Sequence, residues 1–176
     1  MDGKSAGSVI WITGLARVGK TTTAKALAAA LTARGLRPVV LDGDAMRAIL
    51  GVQDYHPDAR RRLAFIYARL AREIASQGFC VIVATISLFN DVHLWNRNNI
   101  GSYFEILLEA PMDKLSERPG SEIYKDPDSV NVVGREVEPE WPFAPTMRIS
   151  TCEGLSSAQV ANLILDRIEI PQLHCE

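Results

Sequence analysis

The chain is poor in cysteine, and its cysteines show no spacing that suggests a shared role. Cys80, Cys152 and Cys175 are odd in number and lie far apart, without a C-x-x-C pair. A disulfide framework needs paired cysteines, and a structural zinc site needs closely spaced ligands. The sequence therefore argues against both, and Cys80, inside an apolar run, is expected to be a small buried hydrophobe.

Long apolar segments are also missing. The longest one, residues 79–89, contains Thr85 and Ser87 and is too short to span a bilayer. The first residues hold no long apolar segment of the secretory type. We therefore expect a cytoplasmic protein without a membrane partner.

Neither sign of charge is in large excess. The 176 residues carry 19 Lys and Arg against 21 Asp and Glu, a formal net charge of −2, and 47% of them are hydrophobic. This balance predicts no general attraction to nucleic acid, and the short run Arg60-Arg61-Arg62 is expected to form a solvated face. Length and apolar content predict a single globular domain over residues 1–176.

Residues 14–21 carry the strongest motif, Gly-Leu-Ala-Arg-Val-Gly-Lys-Thr, which fits G-x-x-x-x-G-K-[ST] between an apolar run and a helix-forming stretch. In such a phosphate loop, backbone N–H groups face a polyphosphate, Lys20 reaches the outer phosphates and Thr21 offers its hydroxyl to Mg²⁺. A Gly-rich turn without a ligand is the alternative. Arg17 either adds a phosphate contact or points to solvent. The nucleotide-binding residues predicted here are Gly14, Leu15, Ala16, Arg17, Val18, Gly19, Lys20, Thr21 and Thr22.

Apolar strands alternate with amphipathic helices along the chain. We predict helices over residues 20–34 and 57–77, and strands over residues 37–41, 79–86, 103–108 and 147–150. Strands that are apolar throughout and separated by helices indicate a parallel sheet covered on both faces, a three-layer α/β fold. Regular periodicity disappears over residues 118–145, and a loop of that length predicts a lid over the nucleotide.

Two carboxylates, Asp42 and Asp44, follow the second predicted strand. Ligands of open parallel sheets bind outside the carboxyl ends of the strands, so this pair should meet the phosphate loop. Asp44 is our candidate general base and, with Thr21, a candidate Mg²⁺ ligand. Asp42 either contacts the substrate or caps the next helix. The third strand ends in residues 84–87 without an aspartate, which disfavours a switch GTPase.

These segments together resemble adenylylsulfate (APS) kinases. The matching parts cover nearly the whole chain in order: residues 11–21, residues 41–44 with Arg47, Ile86-Ser87, and Glu117-Arg118 with Tyr124-Lys125. The resemblance implies a P-loop kinase with a lid that uses ATP and Mg²⁺ to phosphorylate the ribose 3′-OH of a small 5′-nucleotidyl substrate, and it suggests a homodimer. It places Asp44 near the hydroxyl and Arg118 near the adenine of ATP. The substrate-binding residues expected so far are Asp42, Asp44, Arg47, Arg60, Ile86 and Ser87.

The chain also departs from the APS kinase pattern. Leu63 and Phe65 stand where those enzymes usually carry Asn and Arg, and Ser121 stands where their lid has Lys. Losing a charge-assisted hydrogen bond costs ~1.5–3 kcal/mol, so we expect APS to bind poorly. Residues 89–97 and 131–134 are similar instead to APS-kinase-like cytidine diphosphoramidate kinases, which are associated with capsular polysaccharide clusters.

That stretch supplies two more candidate substrate ligands. Trp95 could stack on a base and Arg97 could pair with a phosphate. Alternatively Trp95 packs a helix onto the sheet and Arg97 is solvated, while His93 is expected at the surface. An authentic APS kinase, a kinase for a non-nucleotide small molecule and a nucleotide-binding regulator without turnover stay open as alternative functions.

Overall fold

The computed structural model describes residues 7–152 and 154–171, so Cys175 lies outside the described residues. At its centre is a five-stranded sheet in the order β2-β3-β1-β4-β5, in which each neighbouring pair runs parallel. The strands are β1 (Ser8–Thr13), β2 (Val39–Asp42), β3 (Cys80–Ala84), β4 (Tyr103–Glu109) and β5 (Met147–Ser150). The predicted parallel sheet is confirmed, and its strand ends lie within two residues of the expected ones.

Helices connect the strands. They are α1 (Lys20–Ala33), α2 (Gly43–Leu50), α3 (Pro57–Ser76), α4 (Asn90–Asn99), α5 (Met112–Glu117), α6 (Glu122–Lys125) and α7 (Ser157–Arg167). The two long helices predicted from periodicity, α1 and α3, are present with nearly the expected bounds. Among the described residues no helix has the length and apolar character needed to cross a membrane.

Each face of the sheet is covered by a different pair of helices. Ile10 and Ile12 of β1 pack with α1 and α7, whereas Val9 and Trp11, which alternate with them, pack with α3 and α4. All four are fully buried, and Cys80, as expected, is also buried. Because helices cover both faces, the central strands carry buried apolar residues on both sides. The three-layer α/β fold is confirmed.

Residues 118–145, predicted to be a long loop without regular periodicity, are mostly irregular, although some of their apolar residues are buried. The segment contains α6, and a tight loop at residues 132–137 closes where Val137 N–H donates to Val132 C=O at 3.1 Å. Val132 and Val133 are both buried. Two adjacent valines show neither helical nor strand periodicity, so the sequence pattern does not predict that they are buried. We call residues 118–145 the lid segment.

The far end of the lid segment is fixed by charges. Glu140 accepts hydrogen bonds from Arg61 and from the Asn90 N–H at the start of α4, each at 2.7 Å. Arg61 also pairs with Asp91 at 2.8 Å. The run Arg60-Arg61-Arg62 is therefore not simply a solvated face, because its middle member joins α3, α4 and the lid segment.

Candidate active site

A cavity of about 710 Å³ opens at the carboxyl ends of β1, β2 and β3. It lies where ligands of open parallel sheets bind. The lining residues come from the phosphate loop and the start of α1, from α2, from α3 with the loop before it, from the chain after β3, and from the lid segment. One cavity thus collects most of the residues that the sequence singled out.

The predicted phosphate loop divides between cavity and core. Ala16, Arg17 and residues 19–22 line the cavity. Leu15 and Val18 are buried beneath them, and Gly14 lies against the Leu108 carbonyl. The loop ends in α1, which begins at Lys20 and presents its free N–H groups to the cavity, where they favour an anion.

Lys20 is held inside the loop. Its Nζ donates to the Leu15 carbonyl at 2.6 Å. Burial lowers the pKa of Lys20 to about 8, although the carboxylates of Asp44 and Asp42 act to raise this pKa, and the Arg17 charge lowers it further. The ammonium group therefore lacks a full set of anionic partners, which a polyphosphate would supply.

Asp42 has two structural contacts. One carboxylate oxygen caps α2 by accepting from the N–H groups of Asp44 at 3.1 Å and Ala45 at 3.3 Å. The other accepts the Thr21 hydroxyl at 2.6 Å. The capping alternative is confirmed for Asp42, and the carboxylate that joins Thr21 is Asp42 rather than the predicted Asp44.

The oxygens of Thr21 and Asp42 fit a particular kind of cation site. Hydroxyl and carboxylate oxygens suit Mg²⁺, which usually keeps several waters and takes few protein ligands beside phosphates. Within residues 7–152 and 154–171, no group of three or more His, Cys, Asp or Glu side chains could hold a metal alone. A cation bound here would therefore depend on phosphate and water oxygens.

Asp44 is an unpaired carboxylate of the cavity lining, which also includes Glu138. Its side chain is exposed, and no described residue makes a hydrogen bond or ion pair to it. The backbone before it is fixed, since a Cβ at Gly43 would lie 3.2 Å from the Ala84 carbonyl oxygen. Tyr67 donates to the Gly43 carbonyl at 3.1 Å, and burial raises the pKa of Tyr67 to about 12, so this donor stays protonated. Asp44 is thus well positioned and available.

Two arginines, Arg47 of α2 and Arg60 of α3, line the cavity. Arg47 and Arg60 both lie over the Tyr55 ring, with guanidinium carbons 4.4 and 5.5 Å from its centroid. Arg47 also donates to the Asp54 carbonyl at 2.9 Å. The buried Nη1 of Arg60 has no acceptor in the described part of the chain, and burial, together with the Arg47 charge, lowers the pKa of Arg60. These two cations suit an anionic ligand.

The chain after β3 forms the floor of the cavity. Ile86 and Ser87 both line it, as predicted. The Thr13 hydroxyl donates to the Ile86 carbonyl at 2.5 Å, and the hydroxyls of Ser87 and Thr85 lie 2.9 Å apart. These bonds fix the floor, so its backbone shape is set before any ligand binds.

The three departures from the APS kinase pattern differ in position. Leu63 is buried and lines the cavity. Phe65 packs edge-on against Trp95 with ring centroids 6.4 Å apart, and the buried Ser121 donates to the Ser116 carbonyl at 2.6 Å. Neither Phe65 nor Ser121 lines the cavity. An apolar cavity wall at Leu63 is therefore the one departure that an acceptor would meet directly.

The structure does not bring Trp95 or Arg97 to the cavity, so their prediction as substrate ligands is corrected. Trp95 packs on Phe65, which agrees with the structural alternative. Arg97 does not line the cavity, and although it is exposed it is not free in solvent, because it pairs with the buried Glu105 and donates to the Ala144 carbonyl. His93, expected at the surface, is 3% exposed and lies 2.7 Å from Glu105.

Burial alone would raise the pKa of Glu105, but His93, Tyr103 and Arg97 together lower it. The carboxylate therefore stays ionised inside the fold. A glutamate in the middle of a largely apolar strand is the sequence signal that could have found this cluster, because a buried charge requires partners.

Arg118 lines the cavity, as expected for a lid residue. Its guanidinium donates to the Arg17 carbonyl at 2.9 Å and to the Thr151 carbonyl at 3.0 Å. Arg17 in turn donates to the Pro119 carbonyl through Nε at 3.0 Å. The sequence analysis predicts that Arg17 either contacts phosphate or points to solvent. Its contact with the lid segment matches neither alternative.

Comparison with known proteins agrees with this geometry. A family model described as adenylylsulphate kinase matches residues 6–150. The cytidine diphosphoramidate kinase of Campylobacter jejuni is 35% identical over 159 residues, which cover 89% of this chain and 94% of that protein. An adenylyl-sulfate kinase of Microcystis aeruginosa is 30% identical and covers 97% of each chain.

The fold is shared as well. The structure of the Mycobacterium tuberculosis APS kinase in complex with AMPPNP and APS superposes with a TM-score of 0.82 at 23% identity, covering 92% of this chain and 97% of that one. This similarity supports the fold, while the family model and the relatives above support the class of enzyme. The chain is therefore a phosphotransferase of the kinase class and belongs to the adenylylsulphate kinase family.

Proposed function

We propose that the protein transfers the γ-phosphoryl group of ATP to the ribose 3′-OH of a 5′-nucleotidyl acceptor of the cytidine diphosphate type, most specifically cytidine diphosphoramidate. The observation that carries the proposal is the arrangement of one cavity. The phosphate loop, an arginine pair and the unpaired carboxylate of Asp44 all belong to the same lining. A donor, an acceptor and a base can meet there.

The phosphate loop would bind the triphosphate of ATP. The N–H groups at the start of α1 and the Lys20 ammonium face the β- and γ-phosphates, where negative charge shifts during transfer. Thr21 and Asp42 would hold Mg²⁺, which when bound neutralises phosphate charge. Arg118 lines the cavity from the lid segment, and it would lie near the adenine of ATP.

Asp44 would act as the general base. It takes the proton of the 3′-hydroxyl while the hydroxyl oxygen forms a bond to the γ-phosphorus. The bond from that phosphorus to the β,γ-bridging oxygen breaks, and ADP leaves with the electron pair. Because Asp44 has no competing partner within the described chain, its lone pairs are available for this proton.

The acceptor would lie against α3. Arg47 and Arg60 bind its 5′-phosphates, and the unsatisfied Nη1 of Arg60 gains an acceptor there. Leu63 supplies an apolar wall where APS kinases usually carry a polar residue, which disfavours the sulfated nucleotide. The Campylobacter jejuni relative, with 35% identity, acts by its name on cytidine diphosphoramidate. The alternative, an authentic APS kinase, is favoured by relatives such as the Microcystis aeruginosa enzyme.

The decisive experiment compares acceptors side by side. Coupled ADP release with APS, cytidine diphosphoramidate, CDP and a UDP derivative should give the highest kcat/KM for cytidine diphosphoramidate. Phosphorus NMR of the product should place the new phosphate on the 3′-oxygen. If APS proves the best acceptor, the APS kinase assignment replaces ours, and if only non-nucleotide acceptors react, both are wrong.

Three expectations stay predictions alongside this one: a single domain, a homodimer, and a cytoplasmic role in capsular polysaccharide synthesis. The dimer is the simplest to test. Size-exclusion chromatography with light scattering should give twice the mass of the chain, and a monomer mass at all concentrations would contradict it.

A further inference from the structure

Arg17 occupies the tip of the phosphate loop in an unusual conformation. Its φ is +63°, in the left-handed region that costs a residue with a Cβ on the order of 1 kcal/mol or more. Its side chain leaves the loop toward the lid segment and donates to the Pro119 carbonyl from Nε at 3.0 Å and from Nη2 as well. Arg17 therefore combines a strained backbone conformation with a side-chain hydrogen bond to a carbonyl 102 positions away in the chain.

Two more hydrogen bonds join the same two segments. The Arg118 guanidinium donates back to the Arg17 carbonyl at 2.9 Å, and the Tyr124 hydroxyl donates to the Ala16 carbonyl at 3.0 Å. Burial raises the pKa of Tyr124 to about 12, so this hydroxyl remains a donor over the physiological range. Together these bonds connect both residues of the loop tip to the first turns of the lid segment.

The lid backbone is shaped to receive the guanidinium. A Cβ built at Gly120 would lie 1.6 Å from Nη2 of Arg17, and Gly120 has a φ of +75°. No other residue type could stand there with Arg17 in its present place. The Arg17 charge also lowers the pKa of Lys20, which shows that the contact is electrostatically close to the phosphate-binding ammonium.

We propose that Arg17 is a positioning residue that fastens residues 118–124 of the lid segment to the phosphate loop, so that the lid retains bound nucleotide and its release requires these contacts to break. The inference rests on the ATP use proposed above for the same cavity. In this arrangement Arg17 contacts the lid rather than the reacting phosphate. Its loss should weaken nucleotide retention without slowing phosphoryl transfer itself.

Two substitutions at Arg17 separate this role from a phosphate contact. Arg17→Gly removes the guanidinium while suiting the positive φ, and Arg17→Lys keeps a positive charge but lacks the planar fork that reaches Pro119. Both should raise the KM for ATP and the Kd for ADP about tenfold, the size expected for losing one charged hydrogen bond near the surface. The kcat should stay within about twofold of the parent value, or rise if ADP release limits turnover.

Hydrogen exchange supplies the readout that a purely structural role would not give. In Arg17→Gly, exchange in residues 119–125 should speed up, while exchange within α1 and the sheet keeps its parent rate. Tyr124→Phe, which removes one contact and leaves Arg17 intact, should show the same effect in weaker form.

Several outcomes would overturn the proposal. If Arg17→Lys restores the parent KM while Arg17→Gly does not, the charge acts on phosphate and not on the lid. If kcat falls about as far as in Lys20→Ala, Arg17 is catalytic. If exchange quickens throughout and nucleotide affinity is unchanged, Arg17 only stabilises the fold. Calorimetric ADP binding and exchange need no acceptor, so they test Arg17 even if the proposed acceptor chemistry fails.

Discussion

Two groups of cavity residues differ in how their charged groups are satisfied, and we name them after the proposed function: the nucleotide side is the phosphate loop with Asp42, and the acceptor side is Arg47 and Arg60. On the nucleotide side, Lys20 donates to a loop carbonyl and the Thr21 hydroxyl donates to Asp42. On the acceptor side, Arg47 and Arg60 share the ring of Tyr55, and Arg60 keeps a buried N–H group without a partner. Both sides would gain an anionic partner from a ligand, but only the acceptor side has a buried cationic N–H group without any acceptor among the described residues.

This difference indicates which residues favour fast phosphoryl transfer and which residues select the acceptor. Donors that are already oriented need no reorganisation when charge develops, which favours rapid transfer from a donor common to many kinases. A buried guanidinium N–H without an acceptor costs ~1–3 kcal/mol until a ligand supplies one. Acceptors with a well-placed phosphate recover that cost and others do not, so the acceptor side should select the substrate.

The largest effect should come from the nucleotide side. Lys20→Ala removes the cation that faces the outer phosphates, and we expect kcat to fall at least about 10³-fold. Steady-state ADP release measures this loss, with Lys25→Ala, an exposed lysine on the same helix, as the matched control. Turnover within about tenfold of the parent would exclude the loop as the catalytic ATP site.

The stability of Lys20→Ala provides its folding control. The pKa of Lys20 in the fold, about 8, is below the 10.5 of an unperturbed lysine, so the unfolded chain binds this proton more tightly. The charged lysine therefore costs stability at pH 7, and that cost disappears as pH rises from about 8 to 10.5. The substitution should not lower the thermal midpoint at pH 7.

Asp44→Asn should give the next largest effect. The amide keeps the shape of the carboxylate but cannot accept the hydroxyl proton, so kcat should fall about 10²–10⁴-fold while the KM for ATP changes little. Asp42→Asn is the matched comparison: asparagine still caps a helix, but the proposed Mg²⁺ site loses a charged oxygen, so we expect a smaller fall in kcat than for Asp44→Asn. Our assignment of roles is wrong if Asp42→Asn abolishes activity and Asp44→Asn is nearly silent.

Arg60→Gln should affect the acceptor side alone. Losing a charge-assisted contact worth ~1.5–3 kcal/mol predicts a rise of about 10- to 150-fold in the KM for the acceptor, with the KM for ATP unchanged. Arg62→Gln, at an exposed position on α3, serves as the control. An equal rise in both KM values would show that the two sides are not independent.

Local patterns were sufficient for the nucleotide side and for most of the fold. The phosphate loop is a contiguous motif between a strand and a helix, so its chemistry could be predicted from neighbouring residues. The apolar runs in the sequence were sufficient to predict a sheet whose two faces are both covered by helices. Asp42 could be assigned only in part, because an aspartate that follows a strand can cap the next helix, bind a cation, or do both.

Contacts between distant segments could not be predicted. Arg17 donates to the backbone carbonyl of Pro119, and because every residue has such a carbonyl, the sequence cannot indicate which one accepts. The polar stretch around His93 and Arg97 predicts a surface position for the first and a substrate contact for the second, yet both pair with Glu105, which is 1% exposed. Which residue meets that glutamate depends on how α4 packs on β4, and helix periodicity does not specify that.

The smallest expected effect is a difference in proton uptake between the two ligands. In the empty protein the pKa of Lys20 is about 8, so at pH 9 most of these side chains are neutral. Bound phosphates favour the ammonium form, and ATP binding at pH 9 should take up most of one proton from the buffer. Arg60 stays charged despite its lowered pKa, so acceptor binding at the same pH should take up none. Calorimetry in two buffers of different ionisation enthalpy measures both values, and Lys20→Met should abolish the uptake with ATP. Uptake that persists in Lys20→Met, or equal uptake with both ligands, would show that the contrast between the two sides is not carried by Lys20.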